Sequence, residues 1–196
     1  DSTSTLSAPK VEKFKSGKPI VFYGTSITQG GCASRPGMTY SNILGRWFDC
    51  EAINLGFSGN ARMDRSMLEA IKRIDAQKYV INCLPNCTQE IIRDSAYHFM
   101  STLAKERPEV TIYMVENVEF TDRHINQRTA KDLVEKNRMW SDLYKQLRKE
   151  GYKNLRYIPS EGYVGTDDEH SVDGAHFTDL GFMRMAETFK KYLKKR

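Results

Sequence analysis

Short unbroken apolar runs alternate along this chain with longer stretches in which apolar residues recur every three or four positions. The first run, Ile20-Val21-Phe22-Tyr23, follows Pro19 and stops at Gly24. A run of that kind reads as a strand buried on both faces, as in a parallel sheet. Tyr40, Ile43, Leu44, Trp47 and Phe48 then fall at helical spacing over 38–48. A short strand over about 51–55 ends at Leu55-Gly56, and Met67, Leu68, Ile71 and Ile74 mark the next helix. Tyr79 to Leu84 reads as a third strand, broken by Pro85-Asn86, and Ile91, Ile92, Ala96, Phe99 and Leu103 as a helix ending before Pro108. Val110 to Val115 is a fourth strand. After a polar loop from Asn117 to Arg128 comes a long helix carrying Leu133, Trp140, Leu143, Tyr144 and Leu147 on one face, stopping at Gly151. A fifth strand, Leu155 to Ile158, and a loop over 159–175 lead to a last helix with Leu180, Met183, Ala186, Phe189 and Leu193. Strand and helix alternating in this way predict an α/β fold: a three-layer α/β/α sandwich around a five-stranded parallel sheet with right-handed crossovers.

The 196 residues suffice for one domain with a sizeable core. Residues 1–18 are rich in Ser, Thr and Lys and lack periodicity, so they read as an arm or linker before a domain over 19–196. No apolar run is long enough to cross a membrane. The net charge of +5 is scattered over helix faces, apart from Lys190, Lys191, Lys194, Lys195 and Arg196 at the end of the last helix. A helix dipole favours cations there, and nucleic acid is not an expected partner. Cys32, Cys50, Cys83 and Cys87 are too few and too scattered for a disulfide scaffold, and no pair has zinc-site spacing. Cys83 is expected within the third strand, in the core. The opening Asp1-Ser2-Thr3-Ser4-Thr5 suggests a processed chain with an upstream domain or lipid anchor, favouring a periplasmic or secreted protein, with the cytoplasm as the alternative.

Chemistry gathers where parallel strands end. In open α/β sheets, ligands bind beyond the carboxyl ends of the strands. The first strand runs into Gly24-Thr25-Ser26-Ile27-Thr28-Gln29-Gly30-Gly31, which fits neither a phosphate loop nor the G-x-S-x-G elbow. That leaves Ser26 on a tight turn, as a nucleophile or as a helix cap. Gly59 and Asn60 follow the second strand, and Asn86 the third. Before the last helix stands Asp173-Gly174-Ala175-His176, in which the carboxylate can hold the imidazole Nδ1 hydrogen while Nε2 faces a serine. Acyl transfer needs this set: a nucleophile, a base, a carboxylate to orient the base, and donors for an oxyanion.

Gly24-Thr25-Ser26-Ile27-Thr28, Asn54 to Asn60, Leu84-Pro85-Asn86 and Asp173 to His176 resemble, in order, the four sequence blocks of the SGNH (GDSL-type) hydrolases. The resemblance covers nearly the whole chain beyond residue 18. It implies a flavodoxin-like hydrolase fold, with Ser26 as nucleophile, His176 as general base and acid, and Asp173 as its partner. It also implies an oxyanion hole made of the Ser26 and Gly59 backbone amides and the Asn86 side chain, and no cofactor. Thr25 stands where the family commonly has aspartate, Pro85 where it has glycine, and Cys87 where aspartate often follows. These departures point to a side branch whose substrates do not follow from better-known members.

Other readings stay open on the sequence. His170 with Asp167 or Asp168 is a rival dyad; His124, His170 and His176 are a conceivable metal set; and the fold could serve a non-catalytic binding module. For substrate, the loop from Asn117 to Arg128 and the one from Ser34 to Thr39 are polar, unlike the lining of a long acyl tunnel. A short acyl group, first of all acetyl, on a polar alcohol such as a sugar is therefore expected. Arg35, Arg123, His124 and Arg128 are candidate substrate contacts, and lysophospholipase or thioesterase activity is the alternative.

Overall fold

The computed structural model describes residues 2–8, 11, 14–118 and 120–194. Five strands make one parallel sheet: β1 (Ile20–Gly24), β2 (Ala52–Gly56), β3 (Lys78–Asn82), β4 (Thr111–Val115) and β5 (Leu155–Ile158), in the order β2-β1-β3-β4-β5. The chain moves from β1 to β2 on one side, then returns to β3 on the other. The carboxyl end of β1 thus lies at the point where strand order reverses, where α/β folds form their binding crevices.

Strand side chains alternate between the two faces. Val21 and Tyr23, with Tyr79, Ile81, Ile112 and Met114, pack under α3 (Arg65–Ile71), α5 (Tyr97–Glu106) and α6 (Gln127–Lys149). Ile20 and Phe22, with Val80, Tyr113 and Val115, pack under α1 (Ser26–Gln29), α2 (Tyr40–Phe48) and α7 (Asp179–Leu193). All five residues of β1 are buried, whereas those of β2, at the edge, are only partly so. The expected three-layer α/β/α architecture is the one found.

Several details depart from the sequence pattern. β3 stops at Asn82, and Cys83 leaves the extended conformation at φ −108° and ψ −6°, because Pro85 starts a 3-10 turn over Leu84–Asn86. Cys83 is nevertheless in the core, as are Cys50 and Cys87, and all four cysteines are free thiols. The helix before Pro108 begins as α4 (Gln89–Ile91) and passes through a π-helical stretch, Ile92–Ala96, into α5. Nor does the loop after β4 reach Arg128. A 3-10 turn forms at Thr121–His124, and the Asn126 side chain caps α6 by accepting from Thr129 N, so Arg128 sits in the first turn of a helix. At the start of the chain, Ser16 N donates to Asp49 O at 3.1 Å and Gln77 Nε2 to Ser16 Oγ at 2.8 Å, so 16–18 are tied to the domain. Of the expected arm, polar loop and basic end, Asp1, Pro9, Lys10, Glu12, Lys13, Glu119, Lys195 and Arg196 lie outside the described residues.

α1 lies directly on the carboxyl ends of β1 and β2. A Cβ at Gly24 would fall 2.6 Å from Asn82 O, and one at Gly56 would fall 2.4 Å from Gln29 Cα. Backbone atoms cannot yield as a flexible side-chain tip can, so Gly56→Ala must push α1 off the sheet. The expected cost is about 1–3 kcal/mol, the usual range for overpacking. Thermal unfolding should show it as a fall in Tm of several degrees; an unchanged Tm would mean that α1 is held less closely than described.

Candidate active site

Thr25 and Ser26 divide their work at the end of β1. Thr25 is the N-cap of α1, its Oγ1 accepting from Ile27 N at 3.2 Å. Ser26 is the first helical residue, and its hydroxyl is therefore not used as the cap. Gly30, at φ 101°, closes the short helix in the left-handed conformation, and both Gly30 N and Gly31 N donate to Ser26 O. Beneath the helix, Thr28 Oγ1 meets the buried Tyr40 hydroxyl at 2.8 Å.

The Ser26 hydroxyl faces the loop before α7. Its Oγ lies 2.8 Å from His176 Nε2, and His176 Nδ1 lies 2.6 Å from Asp173 Oδ2. The other oxygen of Asp173 accepts from Ala175 N at 3.0 Å and His176 N at 2.7 Å, a local turn that fixes the carboxylate. Those bonds, first from the His176 backbone and then from its ring, draw the Asp173 carboxyl down to about 2. The carboxylate is thus charged across the neutral range and orients Nδ1 as the protonated nitrogen, leaving Nε2 to accept from Ser26.

The loop is braced from several sides. Gly174, at φ 97°, turns the chain and gives its carbonyl to Thr121 N at 3.0 Å. The carboxylate of Asp167 takes both terminal nitrogens of Arg184 at 2.6 and 2.7 Å, and Asp168 pairs with Arg123 at 2.7 Å. Thr178 caps α7 through Gly181 N. The rival dyad is therefore not formed: Asp167 and Asp168 face arginines, while His170 is buried, edge-on to Phe177. Among the described residues, His124, His170 and His176 do not gather into a metal-ligating group.

The donors expected around an oxyanion sit at Ser26 itself and on the loops that follow the two strands neighbouring β1. Ser26 N is the first amide of a helix and has no intrahelical acceptor. The loops after β2 and β3 stand on either side of β1, and they carry Gly59, at φ 69°, and Asn86. Asn86 Oδ1 accepts from Ala61 N at 3.4 Å, which fixes the amide's orientation and leaves Nδ2 as a donor. Asn60 turns instead to Ser58 O. Beside Asn86 opens a groove of about 500 Å³, lined by Thr88, Gln89, Arg128, Asp132 and Lys136. There Asp132 accepts from Gln89 at 2.9 Å and pairs with Lys136 at 3.0 Å. Burial opposes its ionisation, yet those two partners hold its carboxyl below the ordinary value. Of the other candidate contacts, Arg123 lines a separate cleft of about 310 Å³ with Ser160 and His170, while Arg35 and His124 are exposed.

A family model described as the GDSL-like lipase/acylhydrolase family matches residues 17–194. The chain belongs to that family. Among solved structures, a GDSL-like lipase from Bacteroides ovatus ATCC 8483 superposes with a TM-score of 0.89 at 36% identity, over 94% of this chain and 54% of that one. The salicylyl-acyltransferase SsfX3 of a tetracycline biosynthetic pathway gives 0.77 at 16% identity, over 96% and 56%. A two-domain esterase active on acetylated mannans gives 0.66 at 17%, over 91% and 49%. These two likenesses concern the fold. The GDSL-like chain spans about half the length of each of these structures, and no curated protein matches it.

In the sequence pattern Asn54 has no individual role beyond opening the second block. In the structure its Nδ2 donates to Thr28 O at 2.6 Å and Ser41 Oγ at 2.9 Å, while its Oδ1 accepts from Gly56 N at 3.0 Å. One amide thus ties α1 to both β2 and α2. The signal was its place two residues before Gly56, within the second block. Asn54→Leu keeps the volume but strands these part-buried groups, at an expected cost of about 1–3 kcal/mol in urea unfolding. It should also slow labelling of Ser26 by a fluorophosphonate where the protein is still folded; unaltered labelling would separate Asn54 from the positioning of Ser26.

Proposed function

We propose that the protein is a serine esterase that removes short acyl groups, acetyl first of all, from polar alcohols such as sugars. The observation carrying this reading is the unbroken line from Ser26 Oγ through His176 to Asp173, at 2.8 and 2.6 Å. In this mechanism Ser26 Oγ attacks the ester carbonyl while its proton passes to His176 Nε2. The developing oxyanion is held by Ser26 N, Gly59 N and Asn86 Nδ2, in a role that needs donors fixed in advance. His176 returns the proton to the departing alcohol. Water then attacks the acyl-enzyme with His176 again as base, releasing the acid and restoring Ser26.

The substrate side rests on the groove beside Asn86. Its lining side chains are mainly hydrogen-bonding or charged, which suits hydroxyl groups better than a hydrocarbon chain. Arg128 is the candidate contact that borders it. An apolar-lined hollow near Phe120 and Leu133 is only about 50 Å³, too small for a long acyl chain. The fold itself does not choose, since it also serves the acyltransferase above.

Ser26→Ala is expected to lower kcat by roughly 10³-fold or more, because the three residues act as a unit. A fluorophosphonate should label Ser26 alone; robust hydrolysis by the alanine variant would remove Ser26 from the mechanism.

With p-nitrophenyl esters, acetyl should be cleaved best, butyryl poorly and octanoyl hardly at all. Arg128→Ala should lower kcat/KM on an acetylated saccharide by roughly 10-fold while sparing p-nitrophenyl acetate, which has no hydroxyls for the guanidinium to bind. A preference for octanoyl esters would overturn the carbohydrate reading in favour of a lipid or thioester substrate.

A further inference from the structure

The loop that follows α1 brings a thiol to the same rim. Cys32 is exposed and held at φ 69°, a left-handed conformation uncommon outside glycine. Just before it, Gly31 passes so close to His176 that a Cβ there would lie 3.3 Å from the ring's Cδ2. The outcome is a cluster from two separate loops: one ligand atom each from Cys32, Asp173 and His176, all within 4.8 Å of one another. Sulfur, imidazole nitrogen and carboxylate oxygen are the donor types of zinc, and three protein ligands with one open position form a recurrent zinc arrangement.

We propose that Cys32, Asp173 and His176 form an inhibitory site for Zn²⁺ and other thiophilic divalent cations. Tetrahedral zinc with ordinary bond lengths sets its ligand atoms about 3.4–3.6 Å apart. The Asp173–His176 contact, now 2.6 Å, would open by less than an ångström, and the thiol would close in by side-chain rotation. Binding releases the Cys32 thiol proton to solvent and shifts the imidazole proton from Nδ1 to Nε2, which frees the Nδ1 lone pair for the metal. No electron is transferred, and a chelator reverses the step. With its imidazole and carboxylate committed to the metal, Ser26 has no base. The inhibition rests on the esterase reading, whereas the metal site itself does not. The other three cysteines are buried and lie outside the cluster.

Cobalt is the direct probe, because a cobalt-bound thiolate absorbs in the near ultraviolet by charge transfer. Titrating the whole protein with Co²⁺ should produce that band, Zn²⁺ should abolish it, and Cys32→Ser and Cys32→Ala should each lack it. In parallel, micromolar Zn²⁺ should inhibit p-nitrophenyl acetate hydrolysis, with recovery on adding EDTA. Cys32→Ser should raise the half-inhibitory Zn²⁺ concentration about tenfold or more, as expected when one of three ligands is lost, and leave metal-free turnover unaltered. Absence of the band in the unsubstituted protein, or a band or inhibition indifferent to Cys32, would overturn the site. If the protein hydrolysed no ester, the cobalt band and its dependence on Cys32 would still decide the matter.

Discussion

Everything at the rim depends on how closely a four-residue helix can lie on the ends of two strands. Gly24 and Gly56 are paired across β1 and β2, and at both positions a side chain would run into backbone atoms. So short a helix has little stability of its own. What fixes it is contact: Asn54 from β2, Tyr40 from α2, and the Thr25 cap. Ser26 inherits its position from those contacts, and the first helical amide comes with it as a donor facing outward. The positions of the Ser26 hydroxyl and of its own backbone amide are thus consequences of one packing arrangement.

The loop from Asp167 to Thr178 meets that helix by a different logic. It holds little apolar material and is shaped by charge and hydrogen bonds, with Asp167 on Arg184, Asp168 on Arg123, and Asp173 on its own backbone. Charged pairs at the surface each add little stability. Several of them around one short segment still restrict its conformations, and for His176 the requirement is direction more than strength. The charge-poor turn at Ser26 and the charge-rich loop before α7 meet where Ser26 Oγ lies 2.8 Å from His176 Nε2.

The architecture was legible because burial on both faces writes itself as apolar runs, as in Ile20 to Tyr23. The spacing of Asp173 and His176 was legible for a similar reason: a contact within one turn is local. What escaped was chemistry that depends on neighbours distant in sequence. Arg123 reads in the sequence as a candidate substrate contact, because its partner Asp168 lies 45 residues away. Arg128 reads as a loop residue because the Asn126 cap, a single side-chain hydrogen bond, leaves no mark in the apolar spacing. The sequence leaves Cys32 undecided, since nothing in its own stretch announces that Gly31 passes against His176. The π-helical stretch of five residues and the end of β3 two residues early are too short for periodicity to resolve.

The contact between Ser26 and His176 spans 150 residues of chain. During synthesis, then, the serine emerges first and stays without its imidazole until the whole sheet and most of the segment leading into α7 have been made. No product that stops short of His176 can contain the pair, however well its early strands have folded. Such distant closure is also what slows folding, since the loop entropy must be overcome before the contact contributes anything in return. Topology therefore acts as a timer, holding Ser26 and His176 apart until every strand of the sheet has been made.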